Sequence, residues 1–165
     1  MIEPMVNELR QEAQTTKRVL ERVPSDKLSW KPHQRSMSLG QLSLHVASIP
    51  AQVTRLAQFE EFDASNANFS PPEPKDLEEI LTTLESSVRT AVDYLKDMDQ
   101  ATATGSWRLT SGGKEVFTLP RIEMLRSIML NHWYHHRGQL SVYLRLLEIP
   151  VPVIYGRSAD ENPFA

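Results

Sequence analysis

Apolar residues recur at helical spacing through most of the chain. Met5, Leu9, Ala13, Thr16 and Leu20 form one stripe and predict a first helix over residues 4–23, closed by Val23-Pro24 because the residue before a proline disfavours helical backbone. A short segment follows from Ser25 through Leu28 and Trp30 to Lys31-Pro32. Ser38-Leu39-Gly40-Gln41 then has the form of a capping box, with serine hydroxyl and glutamine side chain each placed to serve an exposed backbone N–H. The second stripe, Leu39, Leu42, His45 with Val46, Ile49, Val53 and Leu56, contains Pro50, which removes one helical hydrogen bond and predicts a kink. The polar stretch 60–74 reads as a long connection, more suited to a crossover than to a tight antiparallel hairpin.

A third helix is expected over 76–98, striped by Ile80, Leu84, Val88, Ala91, Val92 and Leu95. The period then changes. Residues 106–110 and 115–119 flank Ser111-Gly112-Gly113-Lys114 and predict a small hairpin around a glycine turn. Pro120 fits the first turn of a fourth helix, where a missing N–H does no harm, and that helix is expected to run to Glu148, ahead of Pro150 and Pro152. Residues 151–165 read as an irregular tail. Four striped helices and too little strand to build a sheet imply an all-α four-helix bundle, one domain spanning 1–165, with a small hairpin before the last helix.

Composition narrows the function classes. The chain is 40% hydrophobic and 24% charged, as in an ordinary globular domain, and carries a formal charge of -3. Mild acidity gives no reason to expect nucleic acid as a partner. The absence of cysteine removes disulfides, thiolate metal sites and a cysteine nucleophile, so any thiol chemistry needs a thiol from outside. The N-terminal residues lack the pattern of a signal peptide, and no stretch is apolar enough to span a bilayer. The expectation is a soluble, cytoplasmic protein.

Chemistry concentrates in Asn131-His132-Trp133-Tyr134-His135-His136-Arg137-Gly138-Gln139. On a helix, His132 and His136 lie about 40° apart and one turn along, so their imidazoles can reach one ion. They align with Leu125, Met129, Leu140, Tyr143 and Leu147, which predicts that they point into the bundle, whereas His135 lies to the side. That spacing alone fits two hydrogen-bonded polar residues equally well. His45, on the apolar stripe of the second helix, changes the balance: three inward histidines in a small bundle are hard to satisfy without an ion. Three imidazoles suit zinc, nickel, copper or iron(II), with zinc or nickel the leading candidates, and leave an open position for water or substrate. The same set could also serve only to staple two helices together.

Gln139 and Tyr143 are candidates for binding a cofactor or substrate, with a polar contact at the bundle end and core packing as their plainer roles. Arg137 points away from the pair, as a salt-bridge or interface residue; Gly138 is expected to permit close helix approach. His33 reads as a solvated loop histidine, Trp107 and Trp133 as packing residues, and Glu60, Glu61 and Asp63 as a solvated run of carboxylates.

The stretch from Ser38 to His45, joined to the late His132-Trp133-Tyr134-His135-His136-Arg137-Gly138-Gln139, resembles the DinB/YfiT-like superfamily. Trp30-Lys31-Pro32, the Trp107 hairpin and the overall length fit as well. The resemblance implies an up-down-down-up bundle, often a homodimer, with a divalent ion on His45, His132 and His136. It implies activities among thiol-dependent transferases and isomerases that use mycothiol, bacillithiol or glutathione, or among metal-dependent hydrolases. Thiol S-transfer is the leading expectation, because the histidine stripe of the last helix carries no acidic residue to serve as a base for hydrolysis. A non-catalytic metal-stabilised stress or binding protein is the third reading.

Overall fold

The structure, a computed structural model, describes residues 2–68 and 70–164, with the side chain of Asn66 aside. It is mainly helical. The long helices are α1 (Ile2–Leu20), α2 (Leu39–Leu56) and α3 (Leu77–Asp97), followed by the short α4 (Gln100–Thr104), α5 (Arg121–Met124) and finally α6 (Asn131–Leu146). A π-helical stretch, Leu125–Leu130, joins α5 to α6. Among the described residues no helix is long and apolar enough to cross a membrane.

Local chemistry explains the boundaries. Pro4 sits in the first turn of α1, where backbone N–H groups have no helical acceptor in any case. The capping box at α2 forms as expected, with Ser38 Oγ accepting from Gln41 N–H and Gln41 Oε1 from Ser38 N–H, both at 3.0 Å. Asp76 caps α3 through Glu79 N–H. Helix α2 continues through Pro50. At the other end of the chain, Glu148 adopts φ 59, and Ile149 N–H reaches back to the Leu144 carbonyl at 2.9 Å, which closes α6 short of Pro150.

Side-chain contacts give the helix directions. Ser87 of α3 meets Ala51 of α2, and Tyr94 meets Ala57, so these two helices run together. Likewise Glu8 meets Tyr134 and Glu12 meets Arg137, so α1 and α6 run together. Trp133 bonds Val46 while Tyr143 bonds Met37, so α6 opposes α2. The connection between α2 and α3 is thus a crossover. It returns to the start of α2, where Glu73 accepts from Ser38 Oγ and the Pro71 carbonyl from Gln41. Pro74 packs so closely on Gly40 that a Cβ there would stand 2.9 Å from its Cδ.

Several expectations need correction. The chain is not purely helical around a lone hairpin: β1 (Glu61–Asp63) pairs in parallel with β2 (Ser106–Ser111), which pairs antiparallel with β3 (Lys114–Pro120). The carboxylates Glu60, Glu61 and Asp63 are exposed, as expected, but Glu61 and Asp63 lie in a strand. Glu61 pairs with Arg108, and Asp63 accepts from Ser65 N–H and from Gly112 N–H of the hairpin turn. That turn has φ 58 and 76 at Gly112 and Gly113, left-handed values at which a side chain is strained. Pro120 ends β3 and caps α5 instead of lying inside the helix. Gly138 is exposed with nothing within 4 Å of a notional Cβ, so it serves no close helix approach.

Candidate metal centre

The buried line of α6 is Trp133, Arg137, Leu140 and Leu144. His132 and His136 each precede a member of that line by one residue. They consequently sit at the edge of the core and are half-buried, not at its centre as the apolar stripe predicts. The cause is the π turn at Leu125–Leu130, whose wider winding shifts the phase of the upstream apolar residues relative to α6. His45 of α2 faces the pair from across the interface.

The three rings form a compact triangle. Their centroids lie 5.2 Å apart for His45 and His132, 4.5 Å for His45 and His136, and 4.4 Å for His132 and His136. One ligating nitrogen from each falls within 4.8 Å of the others. His45 Nε2 and His132 Nε2 stand 3.0 Å apart. Two imidazole ligands at about 2.0–2.1 Å from one ion span roughly 3.0–3.4 Å. The donor set therefore fits a divalent transition ion in both type and spacing.

Electrostatics favours the ligating form. Burial, and then the like charges of His136 and His132, lower His45 to about 4. Burial followed by His136 and His135 lowers His132 to about 4. His136 is lowered as well, by burial above all. All three rings are then neutral at physiological pH, with lone pairs to offer.

Gln139 Oε1 lies 2.7 Å from His136 Nδ1. An amide oxygen can only accept, so Nδ1 carries the proton and Nε2 is left as the ligating atom. The structure thus places Gln139 behind one of the three histidines that could hold a metal ion. Tyr143 stacks edge-on against Trp30 at 5.7 Å and donates to the Met37 carbonyl, tying the loop before α2 to α6. His135 is exposed, with its ring 4.9 Å from His136, and His33 Nδ1 accepts from Arg35 N–H within its own loop. Trp107 and Trp133 do more than pack. Trp107 Nε1 donates to the Leu56 carbonyl, and Trp133 Nε1 to the Val46 carbonyl at 2.8 Å.

Arg137 is a salt-bridge residue, as its direction away from the histidines implies, but a deeply buried one. It is 1% exposed and ion-paired to Glu12 at 2.6 Å. It also donates to Thr16 Oγ1 and the Tyr155 hydroxyl, and it lies over the Tyr134 and Tyr155 rings. Its direction away from the histidines was legible; its burial was not, because Glu12 and Tyr155 come from distant parts of the chain.

A sequence model described as the DinB family matches residues 1–162. No curated protein sequence matches the chain. Among solved structures, the fold is similar to that of a DinB-like protein from Bacillus cereus, with TM-score 0.70 and 20% identity, covering 93% of this chain and 97% of that one. A DinB-like protein from Bacillus subtilis is similar with TM-score 0.69 and 18% identity, covering 93% and 99%. At these identities the likeness carries the fold.

Proposed function

The chain belongs to the DinB family, and from that premise we propose that it is a metal-dependent enzyme of the thiol S-transferase type, built on an up-down-down-up four-helix bundle. The observation that carries this reading is the convergence of three neutral imidazoles, one ligating nitrogen each within 4.8 Å, at the edge of the core. His45, His132 and His136 would hold the ion, and zinc or nickel suits their donor type best.

A bound divalent ion supplies Lewis acidity that favours the thiolate form of an incoming thiol near neutral pH. The chain's own contribution is fourfold. Three uncharged ligands leave the ion's positive charge undiminished for an anionic sulfur. Half-burial of the rings keeps one side open to an external thiol, which the cysteine-free chain requires. Gln139 holds the proton on His136 Nδ1. Partial exclusion of water strengthens every charge interaction at the edge. Among the described residues the ligating cluster includes no carboxylate, which favours thiol activation over hydrolysis, since the latter calls for a general base beside the nucleophilic water.

The test has two steps. Elemental analysis of untagged protein should find near-stoichiometric zinc or nickel. Cobalt-substituted protein should then develop a sulfur-to-metal charge-transfer band when a low-molecular-weight thiol is added. Protein that is metal-free and refuses both zinc and nickel would overturn the metal centre. Metal-loaded protein that gives no band with any thiol would overturn the thiol chemistry and turn attention to bound water.

A further inference from the structure

Helix α2 carries a defect beside His45, and α6 repairs it. In an unbroken helix the N–H of residue 50 would donate to the Val46 carbonyl; Pro50 has no N–H. Val46 is fully buried, so water cannot replace the missing donor. A buried carbonyl left without a donor keeps its full desolvation penalty. The indole Nε1 of Trp133, itself fully buried, donates to that carbonyl at 2.8 Å. The next N–H along, from Ala51, donates to Ser87 Oγ of α3 at 2.9 Å.

We propose that Trp133 is a positioning residue for the histidine centre, acting through the Val46 carbonyl that Pro50 leaves without a backbone donor. The inference rests on the metal-centre reading above. Val46 follows His45 directly and Trp133 follows His132, so this one hydrogen bond joins the two helices one residue beyond the pair whose Nε2 atoms stand 3.0 Å apart. A slide or rotation of α6 on α2 that separated the two imidazoles would break the indole bond as well. Shape alone does not account for the tryptophan: phenylalanine would fill most of the space, but only the indole brings a donor to this carbonyl. The proline thus costs α2 one internal bond and sets the register between two metal ligands.

Three variants separate positioning from simple satisfaction of the carbonyl: Trp133→Phe, Pro50→Ala and the double variant. Pro50→Ala restores a backbone donor to Val46 from within α2. Each would be read by melting temperature of the metal-free protein and by zinc affinity in competition with a chromogenic chelator. Trp133→Phe should lower the melting temperature and weaken zinc about tenfold, the lower end of losses on removing support behind a metal ligand. The double variant should regain stability while zinc affinity stays weak, because the inter-helix bond is still missing. Zinc affinity that stays within twofold of wild type in folded Trp133→Phe, or that returns together with stability in the double variant, would overturn the proposal. The imidazole resonances of His45 and His132 in metal-free protein supply an arm that needs no ion. Trp133→Phe should shift both and abolish the contact between the rings, whereas unchanged resonances would overturn the proposal. Wild type that takes up no zinc would defeat the metal reading alone and leave this arm to decide the positioning.

Discussion

His136 and Arg137 are neighbours in sequence, yet they belong to two polar clusters of opposite design. Around Arg137 the inventory of donors and acceptors closes inside the chain: the guanidinium serves Glu12, Thr16 and Tyr155, and Tyr155 donates back to Glu12. Among the described residues every fully buried side-chain nitrogen and oxygen has a partner. Around His136 the inventory stays open. Three rings with lowered proton affinity turn lone pairs toward one another, and a single proton can bridge only one Nε2 pair. Burial of polar groups therefore does not by itself mark a functional site. What separates the two clusters is whether the chain can satisfy its own polar atoms without a ligand.

The sharpest way to break this contrast is to cross it. His45→Ala or His132→Ala should abolish metal binding, read by elemental analysis, while the melting temperature of metal-free protein moves little. Arg137→Met should do the reverse. Removing one partner of a buried ion pair costs about 3–5 kcal/mol, visible as a lower urea midpoint, while the fraction that stays folded retains its metal. If both substitutions abolish both properties, the two clusters are one cooperative unit and the distinction fails.

Acid should separate them next. His45 and His132 lie near 4 in the folded chain against an ordinary value of 6.5. The folded state thus binds fewer protons than the unfolded state across that interval. The stability linked to the neutral rings is complete above 6.5 and is lost as pH falls toward about 4. Urea midpoints of metal-free protein should fall across this window, and the slope should flatten in His45→Ala. Zinc affinity should fall in the same direction.

A smaller effect is expected from Gln139→Leu, which removes the acceptor behind His136 and should weaken the metal by about 10–100-fold, with stability nearly unchanged. Smallest is a substitution outside both clusters. Glu148→Gly should stabilise the chain by about 1 kcal/mol by relieving a left-handed residue, raising the urea midpoint without touching metal affinity.

How much was legible follows the range of each signal. The capping box needs residues only three apart, and Ser38 and Gln41 form it. Gly112-Gly113 announced its turn, and the three histidines were found from helical spacing. Whatever depends on a distant partner stayed hidden. The strand Glu61–Asp63 is three residues long, too short to show alternation, and exists because Arg108 to Thr110 lie beside it. The π turn leaves no periodic mark of its own, so the exact facing of His132 and His136 was lost with it. Pro50 was read as a kink, but its missing N–H became meaningful only once the Trp133 indole stood against Val46.

The tail beyond α6 has a consequence for the order in which the molecule forms. Arg18 holds the Val153 carbonyl across 135 residues of chain, Arg22 holds Glu161 across 139, and Tyr155 reaches Glu12 across 143. Contacts this remote close the largest loops and carry the highest entropic cost of closure. Once α1 and α6 have met, however, the remaining loop is short, because Tyr155 lies only 18 residues beyond Arg137. The tail therefore adds its contacts to a helix pair already joined by Glu8–Tyr134 and Glu12–Arg137, and closes over the charged cluster at little further entropic cost.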